Sequence, residues 1–257
     1  MSHGSLSFDR AADFYDSTRG LTPEARVEVT ELLRRELQGR SPVLEIGVGT
    51  GRIALPLHEA EVDMAGIDLS EPMLRRLLQN AGGRIPFAVA RADATAVPFR
   101  PNSFGAAIAS HVLHLIDEWQ AALREIVRVV RPHGVFLCDH GGWHGAFLEL
   151  GEQFSRLANL GRANRGVNKT GEIDDAMASL GATSRVLPEI VMHKTHTYDG
   201  IITGLENGLW SSSWQATEEA RRKAGAELRR WAEGRYGDLG QEVEIGNKIV
   251  WRAYDLP

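Results

Sequence analysis

Three glycines, Gly47, Gly49 and Gly51, alternate directly after the short run Val43-Leu44-Glu45-Ile46. Glycine has no Cβ, so such a loop turns sharply and lets a ligand come close to the main chain. A helix beginning just after it would add free N–H groups and a positive dipole end, which suit a phosphate or a carboxylate. Two acids frame this chemistry: Glu45 within the run, and Asp68 at the end of the next apolar run, residues 62–67. A dinucleotide fingerprint spaces its glycines G-x-G-x-x-G, but the sixth position here is Arg52, where close helix–sheet packing wants Gly or Ala. No Gly-Lys-Ser/Thr follows, so a phosphate-binding P-loop is excluded. The spacing favours a nucleoside that carries an amino-acid tail.

Histidines form the second set of candidates. His111 and His114 follow one predicted strand, and His140 and His144 follow another that ends at Asp139. In an open α/β sheet both strand ends meet at the ligand crevice. His111 or His140 is then a candidate general base, because imidazole exchanges protons near neutral pH. With Asp139, the four could instead hold a divalent metal against a catechol-like acceptor. They could also simply line a pocket, which is the commonest fate of such residues. The base is the leading chemical reading, on His111 and His140, and no metal is assigned. Trp143, Trp210 and Trp214 are candidates for an aromatic lid, although core packing is the more usual fate of tryptophan.

These residues need elements to hold them. Residues 23–37 carry a helical pattern with Pro at its start. Strands are predicted at 43–46, 62–67, 85–90, 104–110 and 135–139, from short apolar runs bounded by turn residues. Between them, a helix starts near Arg52, Ser70 caps a helix through Asn80, and a third helix spans about 117–130. Strands alternating with helices imply a parallel sheet with crossovers on both faces. After Asp139 the rhythm changes. Residues 141–180 look helical but irregular, 184–192 and 242–254 read as strands, and 218–231 reads as a charged helix.

Composition narrows the function classes. The 257 residues carry a formal net charge of −5, from 34 acidic and 29 basic residues. No long basic run is present, and Arg221-Arg222-Lys223 has Glu218, Glu219 and Glu227 within helical reach, so no nucleic-acid partner is expected. The single cysteine, Cys138, excludes an intramolecular disulfide and any multi-cysteine metal site. No stretch approaches the roughly 18 apolar residues of a membrane span, and the N-terminus lacks the apolar core of a signal peptide. A cytoplasmic enzyme with no membrane partner is expected.

Residues 43–52, Val-Leu-Glu-Ile-Gly-Val-Gly-Thr-Gly-Arg, resemble motif I of the class I methyltransferases, the family that includes the ubiquinone/menaquinone-biosynthesis methyltransferases. Gly66-Ile67-Asp68-Leu69-Ser70, Ala92-Asp93-Ala94, the fourth-strand segment from Ser103 to Asp117, and residues 123–134 match later motifs in order. His133 replaces the usual second glycine of the last one. Ala12-Asp13-Phe14-Tyr15-Asp16 is similar to the family's Tyr-Asp segment that folds over the cofactor. The likeness covers residues 8–140.

The resemblance implies S-adenosylmethionine as cofactor, with Glu45 near the methionine amino group, Gly47, Gly49 and Gly51 against its backbone, and Asp68 on the ribose. It places Asp93 at the adenine amino group and Ser110 and Tyr15 around the pocket. Met73 is a candidate to pack beneath the adenosine or in the core. It also implies a doubly wound, mostly parallel seven-stranded sheet of Rossmann-like form with a helical lid insertion. Residues 1–140 would form the arm and cofactor core, and 141–257 the lid and the strands completing the same sheet. The expected activity is methyl transfer to a small-molecule acceptor. The alternatives are an NAD(P)-dependent oxidoreductase and a non-catalytic S-adenosylmethionine-binding protein.

Overall fold

The computed structural model describes residues 9, 12–139, 145–161, 166–167 and 169–257. In chain order its elements are α1 (Tyr15–Arg19), α2 (Pro23–Glu36), β1 (Val43–Ile46), α3 (Ala54–Glu59), β2 (Met64–Asp68), α4 (Glu71–Asn80), β3 (Ala88–Arg91), β4 (Phe104–Ser110) and α5 (Trp119–Val129). There follow β5 (Val130–Asp139), α6 (Gly145–Leu157), α7 (Thr170–Ser179), β6 (Thr183–Val186), β7 (Ile190–Thr197), α8 (Tyr198–Glu206), α9 (Glu218–Tyr236), β8 (Glu242–Ile249) and β9 (Trp251–Asp255). They fall into two compact units, one formed by residues up to 141 with 165–190 and 249–257, the other by 142–164 and 191–248.

The first unit is built on a seven-stranded sheet of order β3-β2-β1-β4-β5-β9-β6. Strands β1 to β5 run parallel, and β9 lies antiparallel between β5 and β6. This is the mostly parallel, Rossmann-like sheet expected. Every residue of β1 and β4 is buried, as both faces of a central parallel strand require. Helix α5 turns Ala122, Leu123, Ile126 and Val129 inward, one apolar stripe at helical spacing. Thr22 and Ser70 accept the N–H of Ala25 and Met73, capping α2 and α4, and proline stands in the first turn of both. Phe136 on β5 stacks on Tyr254 of β9, and the Tyr254 hydroxyl donates to Asp174 of α7 at 2.8 Å.

Two predicted strands are each two strands. Residues 184–192 divide into β6, in the large sheet, and β7, which pairs with β8 in a separate two-stranded sheet. Pro188 lies at the division and has no N–H to continue a ladder. Residues 242–254 divide at Val250 into β8 and β9, again with partners in different sheets. The chain thus leaves the first unit after residue 190 and rejoins it at 249. Strand β3 starts at Ala88 rather than at residue 85, since Pro86 cannot donate to the ladder.

In the second unit, Phe147, Phe154, Ile202, Leu228 and Trp210 form the core. Trp210 meets Phe147 edge-on at 5.5 Å, and the Trp214 indole N–H donates to the Gly208 carbonyl. Both tryptophans are therefore occupied with packing and hydrogen bonding inside this unit, while Trp143 lies outside the described residues. Arg229 on α9 donates to Asp199, Thr203 and Glu206 of α8, which explains an arginine on the inward side of a charged helix.

One clasp in the first unit bears on the site. Glu125 of α5 accepts the Val97 N–H at 2.8 Å and pairs with Arg128, which donates to the Val97 and Phe99 carbonyls. It anchors the segment that carries Ala92 and Ala94. Glu125→Ala leaves the Val97 N–H without its acceptor, and the expected loss is about 1–3 kcal/mol of unfolding free energy, measured by urea denaturation.

Candidate functional site

Strand β1 lies between β2 and β4, so the strand order reverses direction beside it, which is where open α/β sheets bind ligands. A cleft opens there. The loops after β1, β2, β3 and β4 line it with Gly47 and Gly49, with Asp68 and Leu69, with Ala92 and Ala94, and with Ser110, His111, Val112, Leu115 and Ile116. Tyr15 and Met73 complete the wall.

The glycines divide by role. Gly47 and Gly49 have φ of +69° and +54° and face the cleft. A Cβ on Gly49 would meet Met73 Cε at 3.2 Å, so Met73 packs directly under the loop. Gly51, at φ +86°, does not line the cleft; its Cβ would strike Leu55 Cγ at 2.6 Å and Leu77 Cγ at 3.3 Å, which makes it a packing glycine.

The N–H groups expected to be free for a ligand are largely spoken for. Helix α3 starts at Ala54 and has only six residues. The Ala54 N–H donates to Glu45, and the Gly49 N–H donates to Asp68 Oδ2 at 2.9 Å. Asp68 Oδ1 takes the Ser70 N–H at 2.8 Å. The loop therefore orients two carboxylates. Burial raises the Asp68 carboxyl above its ordinary range, with the Ser70 and Gly49 N–H groups opposing.

Glu45 is not itself a lining residue of the cleft; it is 2% exposed, and its Oε2 has no hydrogen-bond partner among the described residues. Burial pushes its carboxyl up to about 8, against the pull of the Arg52 charge and the Ala54 N–H. Arg52 reaches across to donate to the Ser110 hydroxyl at 2.7 Å, joining the glycine loop to the end of β4. Nothing in the local pattern around Arg52 signalled this link, because its partner is 58 residues away.

The structure brings His111 to the cleft with Asp139 beside it: Nε2 is 3.0 Å from Asp139 Oδ2. His140 and His144 lie outside the described residues. His114 does not line the cleft and sits in a short 3₁₀ turn, Leu113–Leu115. Among the described residues no cluster of three or more His, Cys, Asp or Glu could hold a metal ion. Asp93 is also away from the cleft wall, its Oδ1 accepting the Thr95 N–H and hydroxyl, both at 2.8 Å. Leu115 and Ile116, which do line the wall, carry an apolar pattern that reads as core.

Tyr15 is set against the cleft by its neighbour. Asp16 accepts the Thr50 hydroxyl at 2.5 Å and the Asn80 amide at 2.9 Å, which ties α1 to the glycine loop and to α4. Arg19 is half-buried and does not line the cleft, and enclosure of its guanidinium lowers it to about 10. No helix among the described residues is long and apolar enough to cross a membrane.

Residues 44–138 match a methyltransferase domain family. A demethylmenaquinone methyltransferase of Renibacterium salmoninarum is 33% identical over 130 residues, which cover 49% of this chain and 54% of that protein. A malonyl-[acyl-carrier protein] O-methyltransferase of Halorhodospira halophila is 29% identical over 190 residues, covering 70% of this chain and 61% of that one. The match thus spans between half and two thirds of these relatives' own lengths. The crystal structure of the YcgJ protein of Bacillus subtilis superposes with a TM-score of 0.62 at 18% identity, over 90% of this chain and 99% of that chain, and shares the fold. Residues 44–138 are thus a methyltransferase domain by their family match, and the chain is similar to the ubiquinone/menaquinone-biosynthesis group of class I S-adenosylmethionine-dependent methyltransferases.

Proposed function

We propose that the protein transfers a methyl group from S-adenosylmethionine to a small-molecule acceptor. The observation that carries this reading is the carboxylate pair: Asp68 on the cleft wall, and Glu45 with a buried oxygen that no group among the described residues satisfies. A buried orphan acceptor is costly unless something completes it, and a ligand ammonium would do so. Asp68 suits the two hydroxyls of a ribose, which a carboxylate accepts as charge-assisted bonds. Met73, Ile67 and Leu69 offer an apolar bed for a nucleoside base, and Tyr15 covers it. The methyltransferase domain match leaves the nicotinamide oxidoreductase alternative without support.

When bound, S-adenosylmethionine supplies a methyl carbon already activated by the positive sulfur. The chain needs no covalent nucleophile. Its residues hold two reactants in line, and alignment of this kind can supply roughly 7–11 kcal/mol in favourable cases. Asp68 on the wall and the orphan oxygen of Glu45 would hold the two ends of one reactant, and the apolar wall at Val112, Leu115 and Ile116 would exclude water from the other. The net charge of −5 supports a small acceptor over a nucleic acid.

Calorimetric titration with S-adenosylhomocysteine and with NADH tests the reading. The expected result is saturable binding of the sulfur nucleoside and none of NADH. The reverse preference would return the oxidoreductase reading.

A further inference from the structure

Two buried carboxylates stand on one face of the sheet, and a single guanidinium acts on both. Glu45 of β1 pairs in register with Ile108 of β4; Ser110 lies two residues further along β4 and pairs with Asp139 of β5. Alternation along a strand therefore places Glu45, Ser110 and Asp139 on the same side of three neighbouring strands. All three are buried, Glu45 at 2% exposed and Asp139 at 4%. Arg52, directly after Gly51, reaches this row and donates to the Ser110 hydroxyl at 2.7 Å.

A guanidinium can only donate and an ionised carboxylate can only accept, so the hydroxyl between them has one orientation. It accepts from Arg52 and turns its own proton toward Asp139 Oδ2 at 3.5 Å, the oxygen that His111 Nε2 also meets at 3.0 Å. The second contact is long, so the link from Arg52 to Asp139 is mainly one of charge. On its other side the Arg52 charge acts on Glu45, against burial and against Asp68. Arg19 brings a second guanidinium whose charge meets that of Arg52. A buried carboxylate is costly without a counter-charge, so Glu45 and Asp139 compete for Arg52.

We propose that Arg52 is a positioning residue shared between Glu45 and Asp139, so that affinity for the cofactor is set in part by Asp139, which does not line the cleft. This rests on the reading that Glu45 meets the cofactor's ammonium. In the empty protein Arg52 is drawn to Ser110 and Asp139, and Glu45 keeps its proton. On binding, Glu45 gives that proton to solvent and takes the ammonium as counter-charge in place of Arg52. Coupling of this kind is reciprocal, so a change at Asp139 is felt at Glu45 and the converse.

The test follows Glu45 in the full chain without ligand, by ¹³C spectra of carboxyl-labelled glutamate; its resonance is the one lost in Glu45→Gln. Asp139→Asn removes the competing charge at constant size, and the proton affinity of Glu45 is expected to fall about tenfold. Arg52→Met is expected to raise it, and Arg52→Lys to bring it back toward wild type, which a packing role would not do. In the Arg52→Met background the effect of Asp139→Asn is expected to shrink to less than about half. An unchanged Glu45 titration in Asp139→Asn, or an undiminished change in the double variant, would overturn the shared cation. Ser110→Ala cuts the bridge without touching either carboxylate. It is expected to move Glu45 in the same direction, and it serves where Asp139→Asn folds poorly.

S-adenosylhomocysteine binding then reads the consequence. Asp139→Asn is expected to bind roughly fivefold tighter at about pH 7 and to match wild type at about pH 9.5, where Glu45 is ionised in both. A loss of structure would instead weaken binding at both pH values, and that result would overturn the effect on the cofactor. Failure of the wild type to bind, with the Glu45 changes as expected, would remove the methyl-transfer reading and leave the shared cation standing.

Discussion

Asp68→Asn is expected to weaken S-adenosylhomocysteine binding by roughly a hundredfold, about 3 kcal/mol, while the empty protein keeps most of its stability. The asymmetry follows from what the side chain does in each state. In the empty protein its carboxylate accepts the Gly49 and Ser70 N–H groups. Asparagine keeps one acceptor oxygen and the same size, so one of those bonds survives and the loop has little reason to rearrange. Against a ribose, the same change removes the charge and turns one of two acceptors into a donor facing a hydroxyl. Calorimetry of the variant, beside its thermal melting curve, separates the two effects. Unchanged affinity with a lowered melting temperature would show that Asp68 only pins the glycine loop.

The place of Asp68 at the end of β2 was legible in the sequence because it closes an apolar run after a glycine-rich turn. The central strands were legible for a related reason: a strand buried on both faces needs a continuous apolar run, and Val43–Ile46 and Phe104–Ser110 supply it. The two-unit organisation was not. The division of residues 242–254 falls at Val250, inside a stretch with no proline to announce it, and only the change of partner strand reveals it. The contacts that shape the site were hidden by sequence distance, since Arg52 meets Ser110 and His111 meets Asp139 only once β1, β4 and β5 lie side by side. The packing at Gly51 was hidden for another reason. Its place in the motif is that of a ligand-facing glycine, but the adjoining helices press Leu55 and Leu77 against it.

The second large effect is a proton. Glu45 is expected to bind one in the empty protein at neutral pH and to lose it when the cofactor's ammonium arrives. Burial pushes its folded carboxyl up to about 8, against an ordinary value of 4.5. Below about 4.5 the group is neutral in both folded and unfolded chains, and its contribution to stability is fully present. Between about 4.5 and about 8 the unfolded chain releases the proton while the folded one retains it, so stability falls as pH rises, by a few kcal/mol across the window. Glu45→Gln keeps the shape without the titration, so its melting temperature should fall less over that range.

Ligand binding inverts the dependence. A neutral Glu45 cannot pair with an ammonium, so binding must expel the proton, and affinity should rise by up to about tenfold per pH unit through the same window. Asp68, also raised by burial, adds in the same direction, while Arg52 opposes the shift at Glu45. Wild type and Glu45→Gln should bind S-adenosylhomocysteine alike near about pH 5.5 and differ by up to roughly a hundredfold near about pH 7.5. Calorimetry in two buffers of different ionisation heat counts the proton directly. A wild-type affinity that ignores pH, with no proton released, would mean that Glu45 does not face the ammonium, and the orphan Oε2 would then need another partner.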